Sequence, residues 1–426
     1  MFPFFKNKQD KKLRRDAENW LRLAEKVYHY RRDLLSGHEL NTLNQATVEL
    51  RETLKQEKGD NNKIKLAVDR LEDVIRRVGG SYYPKSAWVE NIEVLLVAAI
   101  LAIGIRTYFV QPFKIPTNSM KPTYYGMTAE IFTDPEEEPG ALRGSLRKLA
   151  FGASRVQVDA EASGTAELPL RVDGQGRFQF DFNEVPDRNW LIFPAVSKEY
   201  SVIVGGRTHT FRVPPDFQVD EIYREVFFPE FDSLGEAVQS RLQNGRYREM
   251  GNNLVSIETQ REAAAGERLL AFDILTGDQL FVDRMSYHFV RPSVGDSFVF
   301  RTGDIPGLGG GSGGNDSYYI KRMVGGAGDR LEIREPVLYR NEAPMDSRPI
   351  FERIHGREGK YEGYVPLGLL EPGSEVEVPD GKYFALGDNS GNSLDSRNFG
   401  FVPEHAIVGR PILIYYPFTS RWGRAQ

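Results

Sequence analysis

The feature that most constrains this chain is an apolar run of 12 residues at positions 94–105, VLLVAAILAIGI. As a helix it would be about 18 Å long, which is short of the roughly 30 Å hydrocarbon core of a bilayer. Extended to residues 89–110 it reaches 22 residues, and its polar side chains lie near the ends, where they can reach the interface. We therefore predict a single transmembrane helix at 89–110. An interfacial helix and a buried core helix are the alternatives.

The distribution of charge indicates how such a span would be oriented. The whole chain has a net charge of −5, but residues 1–88 carry +6 and the remainder −11. Lys and Arg are equally frequent close to the two ends of the apolar run, so the local count does not decide the orientation. The positive leading segment favours a cytoplasmic N-terminus. The overall acidity gives no reason to expect a nucleic-acid partner.

Cysteine and histidine usage excludes several kinds of chemistry. The chain has no cysteine, which rules out disulfides, thiol catalysis and Cys-ligated zinc. Its six histidines are scattered and form no paired-ligand spacing. We therefore expect no metal and no other cofactor.

The segment before the apolar run, residues 1–88, is predicted to be a helical cytoplasmic region. Residues 10–35 and 47–78 are rich in Leu, Arg, Lys and Glu and have roughly helical apolar spacing. Stop signals follow at Ser36-Gly37 and at Gly79-Gly80. The pattern predicts a solvated helical hairpin, with a membrane-surface or partner-binding role as the alternative.

A second region, residues 127–270, is predicted to be a β-rich insertion. Apolar and polar residues alternate in several short runs, which is typical of half-buried strands. Residues 200–211, YSVIVGGRTHTF, have the signature of a hairpin with a two-residue Gly-Gly turn. Residues 232–243 resemble a short helix. A structural role is favoured over substrate docking, for which no particular residue speaks.

Residues 111–126, QPFKIPTNSMKPTYYG, place Ser119 among three prolines directly after the apolar run. Proline restricts the backbone, so this segment is predicted to be a stiff extended or turning loop. A serine nucleophile needs a base. No histidine has a suitable setting, but Lys321 follows an apolar Tyr-Tyr-Ile run. Burial there would lower the pKa of the lysine and let it accept a proton, although such lysines are usually strand-end charges that reach water.

Two further blocks, residues 277–300 and 383–416, follow in a fixed order. Together with the Ser119 and Lys321 segments they resemble bacterial type I signal peptidases, membrane-bound serine endopeptidases that use a Ser/Lys dyad. The resemblance covers about two-fifths of the chain and assigns residues 111–126 and 271–426 to the catalytic domain. It implies a single-pass protein of the bacterial plasma (inner) membrane with an extracytoplasmic catalytic domain.

The resemblance also implies a role for individual residues. Ser119 is the expected nucleophile, and Lys321 is the expected general base. The oxyanion hole is expected to consist of the Ser119 N–H and the Thr117 hydroxyl, and Ser393 to orient the Lys321 amine. Asp388, Asp395 and Arg397 are expected to support the site structurally, with Asp395 and Arg397 as an ion pair and Gly387-Asp388-Asn389 as a structural turn. Ser390 stands where the family often has arginine, so one auxiliary salt bridge is not expected here.

The fold class expected is a mainly β catalytic domain, an antiparallel, partly open barrel or folded sheet. It is accompanied by the N-terminal helices, one transmembrane helix and the β-rich insertion. The flanks of the dyad are expected to wall shallow apolar pockets that accept alanine at Ala-x-Ala cleavage sites, through the residues Ile115, Pro116, Met120 and Ile320.

The glycine-rich residues 304–315 lack a phosphate-loop ending and are predicted to be a surface loop.

The expected partners are the signal peptides of exported preproteins and membrane lipid, with the secretion translocon nearby. One alternative is a self-cleaving repressor-type Ser/Lys peptidase. The membrane segment and the lack of a DNA-binding head argue against it. A second is a membrane-anchored β-rich scaffold in which residues 127–270 do the work and the peptidase core is inactive. The presence of Ser119, Lys321 and Ser393 argues against that.

Overall fold

The structure is a computed structural model that describes residues 3–56, 61–84, 87–173, 177–189, 193–251, 253–308 and 317–425. Within these ranges there are nine α-helices and 22 β-strands, and every strand pair is antiparallel. The predicted fold class, mainly antiparallel β with N-terminal helices, is confirmed. Most of the glycine-rich stretch predicted as a surface loop lies outside the described residues. The chain divides into two compact units, Met1–Ala102 and Ile103–Gln426.

In the described part of residues 1–88 that precedes the apolar helix there are three α-helices, where the sequence predicted a two-helix hairpin. They are α1 Pro3–Arg31, α2 Gly37–Gln56 and α3 Asn61–Val78. The predicted helical segment 47–78 is divided between α2 and α3, and apolar residues of both helices pack into one core with those of α1. α2 begins earlier than predicted, at a capping box: the Ser36 N–H donates to Glu39 Oε2 at 2.8 Å, and the Glu39 N–H donates to Ser36 Oγ at 3.3 Å.

Helix α4, Ala87–Tyr108, contains all but the last two residues of the predicted membrane segment. Among the described residues it is the one helix long and apolar enough to cross a membrane, over Trp88–Tyr108. Its 22 residues extend about 33 Å, close to the thickness of the hydrocarbon core. It begins and ends two residues earlier than predicted, because Val110 already starts a strand. Large apolar side chains such as Leu95, at 68% exposure, lie on its surface.

The second unit begins with the strands that carry and surround the Ser119 segment. In chain order its first elements are β1 Val110–Lys114, β2 Thr128–Ile131, α5 Ala141–Phe151, β3 Ser154–Asp159, β4 Gly164–Val172, β5 Phe178–Phe180, β6 Phe182–Asn189, β7 Phe193–Val204, β8 Arg207–Val213, α6 Asp220–Phe227, α7 Leu234–Gln243, β9 Tyr247–Gly251, β10 Leu254–Ala263 and β11 Arg268–Leu275.

The remaining elements belong to the part of the chain that follows the insertion. They are β12 Gln279–Asp283, β13 Ser297–Arg301, β14 Tyr318–Gly325, β15 Arg330–Arg334, β16 Val337–Arg340, β17 Ala343–Pro344, α8 Pro349–His355, β18 Val376–Glu377, β19 Lys382–Leu386, α9 Ser396–Phe399, β20 Val402–Pro403, β21 Ile407–Tyr416 and β22 Gly423–Arg424.

The sheet that carries the candidate site has the strand order β1-β12-β21-β13-β14-β19-β20, with β22 beside β21. β1 lies at one edge of this sheet and pairs with β12 from Val110↔Asp283 to Lys114↔Gln279. Pro112 is tolerated in β1 because an edge strand needs its N–H groups on one side only. The open edge of β1 and the adjoining loop therefore face away from the sheet.

The residues of the predicted insertion share one hydrophobic core, whose buried members extend from Met127 to Ile274 among the described residues. Two sheets enclose it, ordered β2-β11-β3 and β6-β7-β4-β10-β9. The predicted Gly-Gly hairpin is confirmed: Val204 pairs with Arg207, and both turn glycines have positive φ angles, 55° and 80°. The helix predicted at 232–243 is present as α7, whereas α6 was not predicted.

Candidate active site

Ser119 lies in the turn that follows β1, and the side chain of Asn118 holds this turn in place. Asn118 Oδ1 accepts from the Gly126 N–H at 3.0 Å, and Asn118 Nδ2 donates to the Met127 carbonyl at 3.1 Å. A Cβ atom on Gly126 would lie 2.3 Å from the carbonyl carbon of Thr117, so only glycine fits there. The loop that carries Ser119 is therefore closed on itself at residues 117–127.

Asn389 ties the same loop to the turn that follows β19. Its N–H donates to the Ser119 carbonyl at 3.1 Å, and its Nδ2 donates to the Asn118 carbonyl at 3.0 Å. These bonds fix the main chain on both sides of the Ser119 amide. Asn389 was expected only as part of a structural turn, and Asn118 was not predicted as a site residue.

Lys321 lies on β14, where it pairs with Phe298 of β13. Lys321 is 3% exposed and Ser119 is 8% exposed. Lys321 Nζ donates to Ser119 Oγ at 2.6 Å, across 202 residues of sequence. The structure thus brings together the two residues that the sequence paired.

Burial lowers the pKa of the Lys321 amine from its ordinary 10.5 to about 8. Desolvation is the main cause, because the protonated amine loses its hydration inside the protein. The carboxylates of Asp395 and Asp388 act in the opposite direction but do not cancel it. Near neutral pH an appreciable fraction of this amine is therefore unprotonated and able to accept a proton from Ser119.

Ser393 is close to the nucleophile but does not make the predicted hydrogen bond to Lys321. Its Oγ is buried and has no hydrogen-bond partner among the described residues. A Cβ atom on Gly387 would lie 2.1 Å from Ser393 Oγ and 2.5 Å from the Ser119 carbonyl oxygen. The main chain at Gly387 therefore lies between Ser393 Oγ and the Ser119 carbonyl oxygen.

Asp388, predicted as structural support, is paired with an arginine that the sequence analysis did not select. Arg322 Nε donates to Asp388 Oδ1 at 2.8 Å, and both side chains are almost fully buried. Thr123 Oγ1 also donates to Asp388 Oδ2. The available signal was a basic residue directly after Lys321 in an otherwise apolar strand. This pair joins the loop of Ser119, strand β14 and the turn after β19.

Asp395 and Arg397 form the predicted ion pair. Arg397 donates from Nε to Asp395 Oδ1 at 2.8 Å and from Nη2 to Asp395 Oδ2 at 2.7 Å, and both side chains are buried. Arg397 Nη1 also donates to Ser390 Oγ at 2.8 Å. The serine that stands where arginine was expected thus serves as an acceptor for Arg397.

A cavity of about 220 Å³ opens beside Ser119 and Lys321. Three of the four predicted wall residues, Ile115, Pro116 and Ile320, line it, as does Thr117. Met120 does not line it and is fully buried. The reason is the turn closed by the Lys121 N–H and the Asn118 carbonyl, after which Met120 packs into the core with Tyr124 and Leu280. The expectation that Met120 walls the pocket is corrected accordingly.

A buried lysine amine hydrogen-bonded to a serine hydroxyl, within an antiparallel β domain, is the arrangement of serine hydrolases that use lysine in place of histidine. A sequence profile described as "Signal peptidase, peptidase S26" matches residues 271–416. Lys321 and Ser393 lie inside this match and Ser119 lies before it.

Individual relatives agree with the profile. The probable signal peptidase I-1 of Synechocystis is 34% identical over 148 residues, which are 35% of this chain and 66% of that protein, just under two thirds of its length. Signal peptidase I S of Bacillus subtilis is 32% identical over 150 residues, covering 34% of this chain and 77% of that protein. The chain belongs to the type I signal peptidase family, a family of serine endopeptidases.

Two further comparisons mark the limits of the similarity. The chloroplast thylakoidal processing peptidase 1 of Arabidopsis thaliana is 34% identical over 145 residues but is covered over only 37% of its length. A crystal structure of a signal peptidase I from Enterococcus faecalis is 28% identical and covers 28% of this chain and 97% of that one. Its TM-score is 0.22, too low to support an argument about the fold.

Proposed function

We propose that this protein is a membrane-bound endopeptidase that removes N-terminal signal peptides from exported preproteins, with Ser119 as nucleophile and Lys321 as general base. The single observation that carries this proposal is the 2.6 Å hydrogen bond between Lys321 Nζ and Ser119 Oγ. The burial that lowers the pKa of Lys321 to about 8 supports the role of this residue as the base. Signal peptidase I relatives support the removal of signal peptides as the reaction.

In the proposed reaction, Ser119 Oγ attacks the carbonyl carbon of the scissile peptide bond while its proton moves to the neutral Lys321 amine. The tetrahedral intermediate collapses, the C–N bond breaks, and the Lys321 ammonium gives the proton to the leaving amine. A water molecule then attacks the acyl-enzyme ester, with Lys321 again accepting a proton and returning it to Ser119 Oγ. Serine and lysine are thereby regenerated, and the net reaction is hydrolysis of one peptide bond.

The negative charge on the intermediate requires hydrogen-bond donors. We assign this role to the Ser119 N–H and the Thr117 hydroxyl. The location of both residues on the catalytic cavity supports the assignment. The fixed main chain around Ser119, held by Asn118 and Asn389, would keep the amide donor in one orientation. We also propose that the Ser393 hydroxyl turns towards the Lys321 amine during the reaction, since it has no competing partner among the described residues.

The substrate is proposed to bind as an extended strand in the catalytic cavity. Two strand edges are available there: β1 is an edge strand, and β14 pairs with β19 only from Arg322 onwards, which leaves residues 318–321 without a strand partner on that side in the described structure. Main-chain bonding to such edges would hold a peptide in register. Shallow walls formed by Ile115 and Ile320 would favour alanine at the first and third positions before the cut, the Ala-x-Ala pattern.

Helix α4 is proposed to be the single membrane anchor of a bacterial plasma (inner) membrane protein, with the N-terminus in the cytoplasm and the catalytic domain outside it. Relatives of the signal peptidase I class and the apolar Trp88–Tyr108 segment support an anchor. We further propose that the loop after β12 touches lipid, with the secretion translocon nearby. The Arg284 N–H donates to the Phe109 carbonyl at 2.9 Å, one residue beyond α4, and Phe289 is 81% exposed.

The domain division proposed for the protein remains the one that the sequence predicted. It consists of a cytoplasmic helical region 1–88, a transmembrane helix 89–110, a catalytic domain 111–126 with 271–426, and an insertion 127–270. The separate hydrophobic cores of the first helices and of the insertion support this division. Strand β11, Arg268–Leu275, crosses the last boundary, so the insertion and the catalytic domain are continuous there.

The proposed function is tested by incubating the full-length protein in detergent with a preprotein that has an Ala-x-Ala site. Wild type is expected to release a mature protein cut after the second alanine, as identified by mass spectrometry. Ser119→Ala and Lys321→Met are expected to abolish cleavage, whereas Lys382→Met, at an exposed lysine of β19, is expected to cut normally. Normal cleavage by both dyad variants would show that the assignment is wrong.

A further inference from the structure

Residues 213–221 of the insertion, VPPDFQVDE, connect β8 to α6 and run beside the catalytic cavity. Phe217 and Val219 are 3% exposed and belong to the core of the insertion, where the ring of Phe217 stacks on that of Phe272 at a centroid distance of 6.1 Å. Gln218 and Asp220, which alternate with them, are exposed. The buried residues thus anchor a segment whose polar side chains are presented to solvent.

Three cavities meet along this segment. The catalytic cavity, which lies beside Ser119 and Lys321, shares Lys114 and Pro116 with a cavity of about 450 Å³, whose lining includes residues 213–216. It also adjoins a third cavity, of about 260 Å³, because Asn118, Gln218 and Asn392 line both. The connecting segment of the insertion therefore contributes to all three cavities.

Residues 114–121, the segment that carries Ser119, lie opposite residues 213–221. Residues that follow one another along the two segments line the same cavities. Lys114 and Asp216 line the same cavity, and Asp216 opposes the lowering of the Lys114 pKa that burial causes. Asn118 and Gln218 share the next two cavities. Lys121 and Glu221 share the third cavity, and Glu221 opposes the lowering of the Lys121 pKa by burial. The three cavities together form a cleft. One wall of this cleft comes from residues 114–121 of the catalytic domain and the other from residues 213–221 of the insertion.

The third cavity differs from the catalytic cavity in chemistry. Its lining is rich in side-chain amides and carboxylates, from Asn118, Gln218, Asp220, Glu221, Asn389 and Asn392. Such a lining suits a hydrated peptide segment with varied side chains rather than alanine. If the residues before the cut fill the apolar catalytic cavity, the rest of the peptide has to continue past Ser119. The third cavity begins at Asn118, the residue next to Ser119.

We infer that the third cavity binds the residues that directly follow the cut, and that Gln218 of the insertion is a specificity-determining residue for them. This inference rests on the proposed function and extends it, because it assigns the insertion a part in substrate selection. The residue contributes through its position at the junction of the two cavities. The insertion then determines which mature N-termini are released efficiently.

The experiment is a charge exchange between enzyme and substrate, carried out with the full-length protein in detergent. The substrates are preproteins with one Ala-x-Ala site and either Glu or Lys at the first two positions after the cut. The variants are Gln218→Lys and Gln218→Glu, and the matched control is Gln239→Lys, at an exposed glutamine of α7 that lines none of the three cavities. The quantity compared is the ratio of kcat/KM for the Glu substrate to that for the Lys substrate.

Gln218→Lys is expected to raise this ratio about threefold to fivefold and Gln218→Glu to lower it by a similar factor, as for partly exposed charge pairs. Gln239→Lys is expected to leave it unchanged. Equal ratios in wild type and both Gln218 variants would overturn the inference while leaving the proposed function intact. A second pair of substrates carries Glu or Lys at the middle position of Ala-x-Ala instead, and the inference is also overturned if the Gln218 variants change the ratio only for this pair. A wild-type protein that cuts none of the substrates would instead overturn the proposed function.

Discussion

Replacing Lys321 by methionine is expected to inactivate the protein and at the same time to stabilise it at neutral pH. In the folded state burial lowers the pKa of this amine from 10.5 to about 8. Because the unfolded chain holds the proton more tightly, folding at pH 7 carries a penalty of about 3 kcal/mol, at 1.36 kcal/mol for each pKa unit. Methionine has a similar length and no charge, so the variant does not have this penalty.

The expected gain in the free energy of unfolding is smaller than this penalty, because the substitution also removes a hydrogen bond. The hydrogen bond from Lys321 Nζ to Ser119 Oγ is lost, and such a bond contributes about 1 kcal/mol. The net stabilisation expected at pH 7 is therefore about 2 kcal/mol. Its pH dependence has a definite sign. The penalty of the wild type is fully present below pH 8 and disappears as the pH rises to 10.5, since the unfolded chain then also releases the proton.

The assay is urea unfolding of the full-length protein in detergent at pH 7 and pH 10, followed by circular dichroism. Lys321→Met is expected to be more stable than wild type at pH 7 and to lose most of this advantage at pH 10. The control is Lys382→Met, at an exposed lysine, for which no such change with pH is expected. A variant that is less stable than wild type by the same amount at both pH values would refute the reasoning, because burial of the charge would then have no measurable cost.

Three further predictions follow from the same contacts. First, Lys321 must be neutral to act as the base. Because its pKa is about 8, kcat/KM is expected to rise about ninefold from pH 6 to pH 7 but less than about twofold from pH 8 to pH 9. A kcat/KM that does not change with pH over this range in stopped assays would contradict this prediction. Second, Asp388→Asn leaves the Arg322 charge buried and unpaired and is expected to cost about 3–5 kcal/mol in urea unfolding. A much smaller loss is expected from Glu161→Gln in the exposed pair with Arg207. Third, Gly126→Ala is expected to lower kcat strongly, because the added Cβ displaces Thr117, whereas Gly235→Ala on α7, where a Cβ meets nothing within 4 Å, is expected to cut as wild type does.

Much of the architecture was predictable because its signals are local. The two-residue turn at Gly205-Gly206 requires positive φ angles that glycine adopts without strain, so the hairpin could be placed from sequence. The apolar run predicted the helix that became α4 to within two residues at each end. Ser119 and Lys321 could be paired because each lies in a segment with a recognisable pattern. Their roles as nucleophile and base remain predictions.

Other features depend on contacts between residues far apart in the chain, and these only the tertiary structure decided. The pairing of Arg322 with Asp388 spans 66 residues, and neither neighbourhood in sequence identifies the partner. The prediction that Met120 lines the pocket was wrong because the turn around Ser119 sets the direction of its side chain, which the local sequence pattern does not show. Gln218 lines the cavity beside Ser119 because Phe217 and Val219, on either side of it, are buried in a core assembled from distant strands. Local patterns determine turns, helices and reactive residue types, whereas the walls of the cleft are determined by long-range packing.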